Sequence, residues 1–219
     1  MNNIAIILGY GVYDGSNIEY YDRYLAPVFN DIYNGKFDLV VICGGCTNKK
    51  YPKLSESKSI YNLYLSKYPN RKDKVVLEEK SYTTSDNLKF ARKIITKHIN
   101  KNTEFTVFCD SWRSPKVFYM SLSQFIKPKS SVSLRLDISN NIYMSKSFDF
   151  YNITNIEYKN LKVIGYPLSN DNTQISQQIM ASMIQMNSYD YPNVNRDFIK
   201  KRKKIWGIKW NTKTNHLKY

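Results

Sequence analysis

Short apolar runs rich in β-branched residues recur about every thirty positions along the chain, at 4–8, 39–43, 74–77 and 105–109, with an alternating run at 132–138 after them. Helical patterns fill the gaps. In 22–33 the residues Leu25, Val28, Phe29 and Ile32 fall at i, i+3, i+4 and i+7, which gives one apolar stripe to lay on a sheet. The same spacing places Ile60 and Tyr64 in 55–68, and Leu88, Ala91 and Ile95 in 84–99. A further helix is predicted over 114–126, opening on Ser114 as N-cap with Pro115 at the first helical position. Strands that read as unbroken apolar runs are covered on both faces, and right-handed helical crossovers between them make the sheet parallel. The expected fold is α/β, a Rossmann-like three-layer arrangement with a mainly parallel sheet flanked by helices.

Beyond residue 138 the pattern weakens. Residues 140–155 mix aromatic and polar side chains with no period, a strand is predicted at 161–165, and Ile175, Ile179, Met183 and Met186 mark a helix over 174–186. The Met stripe reads as core packing. Residues 1–188 are expected to form one α/β domain, followed by a basic, aromatic-bearing tail at 189–219.

The 219 residues suffice for one well-buried domain, and the net charge of +15 draws attention to anionic partners. Abundant Lys, Asn, Ile and Tyr together are also what AT-rich coding produces. Residues 196–219 hold nine Lys/Arg against Asp197 alone, so eight of the fifteen net charges lie in the tail. No apolar run reaches the roughly 20 residues of a membrane span, and the opening stretch lacks the basic leader of a signal peptide. A cytoplasmic location is expected. The sparse, odd set of Cys43, Cys46 and Cys109 fits a reducing compartment. Cys43-Gly44-Gly45-Cys46 is formally a Cys-x-x-Cys, but it lacks a nearby histidine and the helix start typical of redox pairs, so no metal set is expected.

The unusual polar residues fall where strands end. Gly9-Tyr10-Gly11 follows the first strand, Gly44-Gly45 the second, Glu78 to Thr84 the third, and Asp110-Ser111-Trp112-Arg113 the fourth. In a doubly wound sheet these loops share the carboxyl edge, where ligands bind at the switch in strand order. Glycines allow close approach of a ligand, and helix starts near Ser55, Thr84 and Ser114 offer N–H groups to an anion. Taken singly, each feature has an ordinary reading. The glycines can end a strand, Ser55, Thr84 and Ser114 can cap helices, and Glu56 and Asp86 suit the helix dipole.

Together these residues resemble the YdcF-like family, which includes the SanA and ElyC types. A strand ending in a glycine turn is similar to residues 7–11, and a helix arginine matches Arg23. A small-Gly-Gly triplet resembles Cys43-Gly44-Gly45, and a Ser-Glu helix start matches Ser55-Glu56. An acidic residue, a serine, Asn-Thr and Glu-Asn in order resemble Glu78, Ser81, Thr83-Thr84 and Asp86-Asn87. The likeness covers about residues 4–126. Relatives carry a histidine, then an arginine three residues on, after the fourth strand; aligned on Pro115, this chain has Arg113 and Lys116. An arginine stays protonated and cannot act as a general base, but positive charge at both positions suits an anion.

The resemblance implies a small phosphorylated or nucleotide-like ligand at the carboxyl edge, and leaves open whether the chain acts on it as an enzyme. The candidate ligand-binding set is Gly9, Gly11, Arg23, Gly44, Gly45, Ser55, Ser81, Thr84, Asn87, Asp110, Arg113 and Lys116. Glu56, Glu78 and Asp86 are the candidate catalytic carboxylates. Neither a cofactor nor a reaction is indicated. Two alternatives stand beside this reading. Residues 196–219 could bind nucleic acid through phosphate contacts and aromatic stacking, or the chain could be a non-catalytic scaffold that has lost the family histidine. His98, late in a helix, reads as a surface residue or one that suits the helix dipole, and His216 lies in the tail.

Overall fold

The computed structural model describes residues 2–71, 73–126, 152–168, 179–182 and 185–186. Six strands form one sheet: β1 (Asn3–Leu8), β2 (Leu39–Cys43), β3 (Val75–Glu78), β4 (Glu104–Asp110), β5 (Thr154–Tyr158) and β6 (Leu161–Tyr166), in the order β3-β2-β1-β4-β6-β5. All neighbours are parallel except β5 and β6, which pair antiparallel at one edge. The order reverses beside β1. The chain moves outward through β2 and β3, then returns to place β4 on the other side of β1, pairing Ile7 with Ile42 on one flank and with Phe108 on the other.

β2 is apolar at every position, and β1 and β4 nearly so through their middles, because both faces are covered. Ile4, Ile6 and Leu8 of β1 pack with Val41, Val107 and the helix residues Leu88, Ala91, Ile95 and Val117. Ala5 and Ile7 face the opposite layer, with Val28, Phe29, Ile32, Ile60 and Tyr64. Each large aliphatic side chain buried this completely contributes on the order of 1.5–3 kcal/mol. The helices are α1 (Ile18–Tyr20), α2 (Ala26–Asn34), α3 (Glu56–Lys67), α4 (Thr84–Ile95) and α5 (Ser114–Ser121). The expected α/β, Rossmann-like three-layer fold is what the chain adopts.

Three local expectations are corrected. The helix expected to begin at Asp22 starts at Ile18 and passes through a π-helical turn, Tyr21–Leu25, in which the Ala26 amide donates to the Tyr21 carbonyl. Pro27 follows directly and has no N–H to give to the preceding turn, so the hydrogen-bond ladder is broken there. Ser114 does not cap α5. A 3₁₀ turn, Ser111–Arg113, runs straight into that helix, and Asp110 caps the turn by accepting the Arg113 amide. Thr83, not Thr84, is the N-cap of α4, its hydroxyl accepting the Asp86 amide.

The strand β5 begins at the end of the aperiodic stretch 140–155 and runs to Tyr158, where no strand was predicted. The predicted strand at 132–138 and the tail at 189–219 lie outside the described residues, and of the predicted 174–186 helix only 179–182 and 185–186 are described, as helix. No helix among the described residues is long and apolar enough to cross a membrane.

Candidate functional site

The loops that leave the carboxyl ends of β1, β2, β3 and β4 surround a cleft of about 710 Å³. Its mouth opens where the strand order reverses between β1 and β4, because the chain leaves those two strands toward opposite faces of the sheet. Tyr24 bridges the two strands from below. Its buried hydroxyl lies 2.6 Å from the Leu8 carbonyl and 3.1 Å from that of Phe108.

Arg113 forms part of the cleft wall while only 8% exposed. Its Nε donates to Oδ2 of the fully buried Asp110, whose Oδ1 takes the Arg113 amide at 3.1 Å. Nη1 reaches Thr84 Oγ1 at 3.5 Å, Nη2 donates to the Gly9 carbonyl at 3.3 Å, and the Tyr10 ring lies 5.2 Å from the guanidinium carbon. Burial works against the charge, but Asp110 outweighs it and holds the Arg113 pKa above its usual value. A guanidinium has five N–H groups. Three are committed to Asp110, Thr84 and Gly9.

Glu56 also stands beside Gly9, and its Oε1 accepts from the Thr47 hydroxyl. Glu56 lies so close to the glycine loops that a Cβ on Gly9 would come 2.5 Å from Oε2, and one on Gly44 2.6 Å from the Glu56 Cβ. Gly44 also has a φ of +149°, outside the range ordinary side chains favour. The glycines therefore let the loop after β1, the loop after β2 and the start of α3 converge.

Three of the four candidate glycines do not offer their amides to a ligand. Gly9 N–H donates to the Cys43 carbonyl at 2.9 Å, Gly44 N–H to Glu78 at 2.9 Å and Gly45 N–H to Ser81 at 3.1 Å. The start of α3 is likewise occupied, with Glu56 and Ser57 donating to the carbonyls of Gly45 and Gly44, and Lys58 to the Ser55 hydroxyl. These donors knit the loops together. Gly11 (φ +106°) lines the cleft with nothing near its Cβ position, and among the described residues its amide has no protein acceptor.

The first turn of α4 also faces the cleft. Thr83, Thr84 and Asn87 line it, and the Thr84 amide has no protein acceptor among the described residues. On the far side, Lys116 in the first turn of α5 is 3% exposed and donates to Oε1 of Gln185 at 2.9 Å. Gln185 and Ala181 complete the wall from a helical stretch distant in sequence.

Of the residues expected at the site, Gly9, Gly11, Gly44, Gly45, Glu56, Ser81, Thr84, Asn87, Arg113 and Lys116 come together around the cleft. Five do not line it. Arg23 sits in the π-helical turn, 3.7 Å from Glu19. Ser55 caps α3 and donates to Glu79 at 2.6 Å, Asp86 accepts the Tyr82 amide, and Asp110 lies beneath Arg113. Glu78 ends β3 and accepts the Lys80 amide at 2.7 Å; burial raises its pKa, against hydrogen bonds from Ser81 and the Lys80 amide. Thr47, Asn48, Lys49, Tyr82 and Gln185 line the cleft without having been singled out from sequence. Thr47 sits one position past the glycine-bearing Cys-x-x-Cys and so had a signal; Gln185 had none.

The cysteines offer no activated thiol. Cys43 and Cys109 are buried, burial raises all three thiol pKa values, and none of the three is in a disulfide. His98 lies past the end of α4, where its carbonyl accepts from Asn2 beside the start of β1, at the opposite edge of the sheet.

Fold and cleft together define an α/β protein of Rossmann-like architecture with a polar, cation-bearing crevice at its switch point. Comparison with family models, with curated proteins and with solved structures finds no match to this chain.

Proposed function

We propose that this is a YdcF-like α/β protein that binds a small phosphorylated or nucleotide-like ligand in the carboxyl-edge cleft. The observation that carries the reading is Arg113, a buried guanidinium locked by Asp110 into a cleft wall that also holds Lys116. Asp110 fixes the geometry of the guanidinium in advance, so little side-chain entropy is lost when an anion takes its remaining N–H groups. The Thr84 amide and the dipole of α4 add positive potential on the same side.

Glu56 is the carboxylate that lines the cleft among the described residues, so acid or base work on a bound ligand falls to it, and not to Glu78 at the end of β3 or Asp86 in the first turn of α4. Arg113 cannot take that role because it remains protonated. A melting-temperature screen against nucleotides and sugar phosphates tests the reading. It predicts a rise with at least one member that shrinks in Arg113→Lys and Lys116→Met, and no rise with any member contradicts it.

A further inference from the structure

Away from the cleft, α4 and the turns after it present a second polar surface. Residues 87–103 carry Lys89, Arg92, Lys93, Lys97 and Lys101 and not one carboxylate, with Asp86 and Glu104 bordering the run. Leu88, Ala91 and Ile95 bury the opposite side of the helix in the core, while Lys93, Lys97 and Lys101 are exposed. Arg92, Lys93, Lys97 and Lys101 make no ion pair among the described residues. Lys89, Lys93 and Lys97 follow at i, i+4 and i+8, so like charges meet along one ridge and repel. The helix dipole favours cations in the last turn, which accounts for Arg92 and Lys93, but not for Lys89 in mid-helix or Lys101 beyond it. A lysine-rich composition scatters cations along a chain; it does not clear carboxylates from one face.

The basic track continues past the helix. The Asn160 side chain donates to the Thr103 carbonyl, which brings the turn between β5 and β6, with exposed Lys159, beside residues 100–103. Half-buried rings alternate with the cations: Lys93 lies 5.5 Å from the centre of the Phe90 ring and Lys159 5.3 Å from that of Tyr158. Exposed Asn100 and Asn102 add amide groups.

Such a surface complements a polyanion. Lysines four residues apart on a helix are about 6 Å apart along its axis, close to the step between successive phosphates of a nucleic-acid strand. Partly open rings and side-chain amides suit its bases. An acidic membrane is the poorer fit, because a helix that lies in lipid inserts exposed apolar residues. The exposed large hydrophobics are Ile18, Tyr33, Leu65, Ile153 and Met180, and none of them lies on α4, in 96–103 or at 159–160.

We infer that the outer face of α4 and the turns after it bind single-stranded nucleic acid through its phosphates, a role separate from that of the cleft. Fluorescence anisotropy of a labelled oligothymidylate, titrated with the full chain over a range of KCl concentrations, tests this. Log affinity should fall linearly with log salt, and each phosphate contact removed should lower the slope by about 0.7. The triple variant Lys93→Gln, Lys97→Gln, Lys101→Gln should therefore flatten the slope by about 2 and weaken binding by about tenfold or more at about 50 mM KCl. Its melting temperature should stay level or rise, as repulsion along the ridge is relieved. A second triple, Lys53→Gln, Lys58→Gln, Lys67→Gln, removes the same charge from exposed positions on and before α3 and should leave the slope unchanged.

No binding by the unaltered protein at low salt overturns the inference. Equal losses in the two triples overturn it too, by reducing the effect to net charge. An unchanged slope in the first triple does the same, and moves the contacts to other basic residues such as 196–219. Capture by phosphatidylserine vesicles that the first triple abolishes, without oligonucleotide binding, overturns it in favour of an acidic membrane.

Discussion

Asp110, the last residue of β4, grips Arg113 twice: one carboxylate oxygen accepts the guanidinium Nε and the other accepts the backbone amide. Both partners are buried, so the pair holds a charge that could not remain in this position alone. Removing one member of a buried pair costs about 3–5 kcal/mol, chiefly by stranding the other. Asp110→Ala should therefore lower the urea unfolding midpoint by a correspondingly large amount and abolish anion binding together with it. An unchanged midpoint would mean that Arg113 is not held by Asp110.

The glycine loops predict a different kind of failure. A Cβ on Gly45 would lie 2.2 Å from the Ser81 carbonyl oxygen and 3.0 Å from that of Glu79, both of them backbone atoms that cannot swing aside. Gly45→Ala should destabilise the protein by about 1–3 kcal/mol in equilibrium unfolding. Gly11→Ala meets no atom within 4 Å and is strained only by its φ of +106°, so its cost should be smaller.

Tyr24 ties the carboxyl ends of β1 and β4 at the point where the cleft opens. Tyr24→Phe keeps the ring and removes the hydroxyl, leaving two buried carbonyls without that donor. The expected loss is about 1–1.5 kcal/mol, read as a lower melting temperature, with faster amide exchange at the ends of both strands.

Glu78 gives the protein a pH dependence with a defined sign. Burial raises its pKa in the folded state above the ordinary carboxylate value of 4.5. The folded protein thus favours the protonated form, and the stability Glu78 contributes is fully present below pH 4.5 and is lost as pH rises through the folded-state pKa. Glu78→Gln should flatten the change in unfolding midpoint across that window and raise the midpoint at neutral pH relative to the parent. A variant with the parent's full pH slope would show that Glu78 is not the group responsible.

The fold was legible to the extent that burial leaves a mark in sequence. β1, β2 and β4 lie at the centre of the sheet, and their nearly unbroken apolar runs announce two covered faces. β5 left no such mark. It is an edge strand whose buried Thr154 and Ile156 alternate with exposed Asn155 and Glu157, and one of its two inward residues is polar. The carboxyl-edge loops were legible because parallel topology sends them all to one side. The destinations of their hydrogen bonds were not, since the Gly9, Gly44 and Gly45 amides are each used by a loop or strand 34 or more residues away. Arg23 shows the same limit from the other direction: its family-like position suggested the site, but it sits in the π-helical turn beside Glu19 and does not line the cleft. Gln185 reaches Lys116 from 69 residues away, a contact no local pattern could indicate.

The most direct test is where a phosphoryl group settles. A crystal structure grown with ribose 5-phosphate should place its phosphorus within hydrogen-bonding reach of the Arg113 guanidinium and the Thr84 amide, between β1 and β4. Phosphate density confined to other surfaces, such as the basic residues 196–219, with only water beside Arg113, would contradict a ligand site at the carboxyl edge.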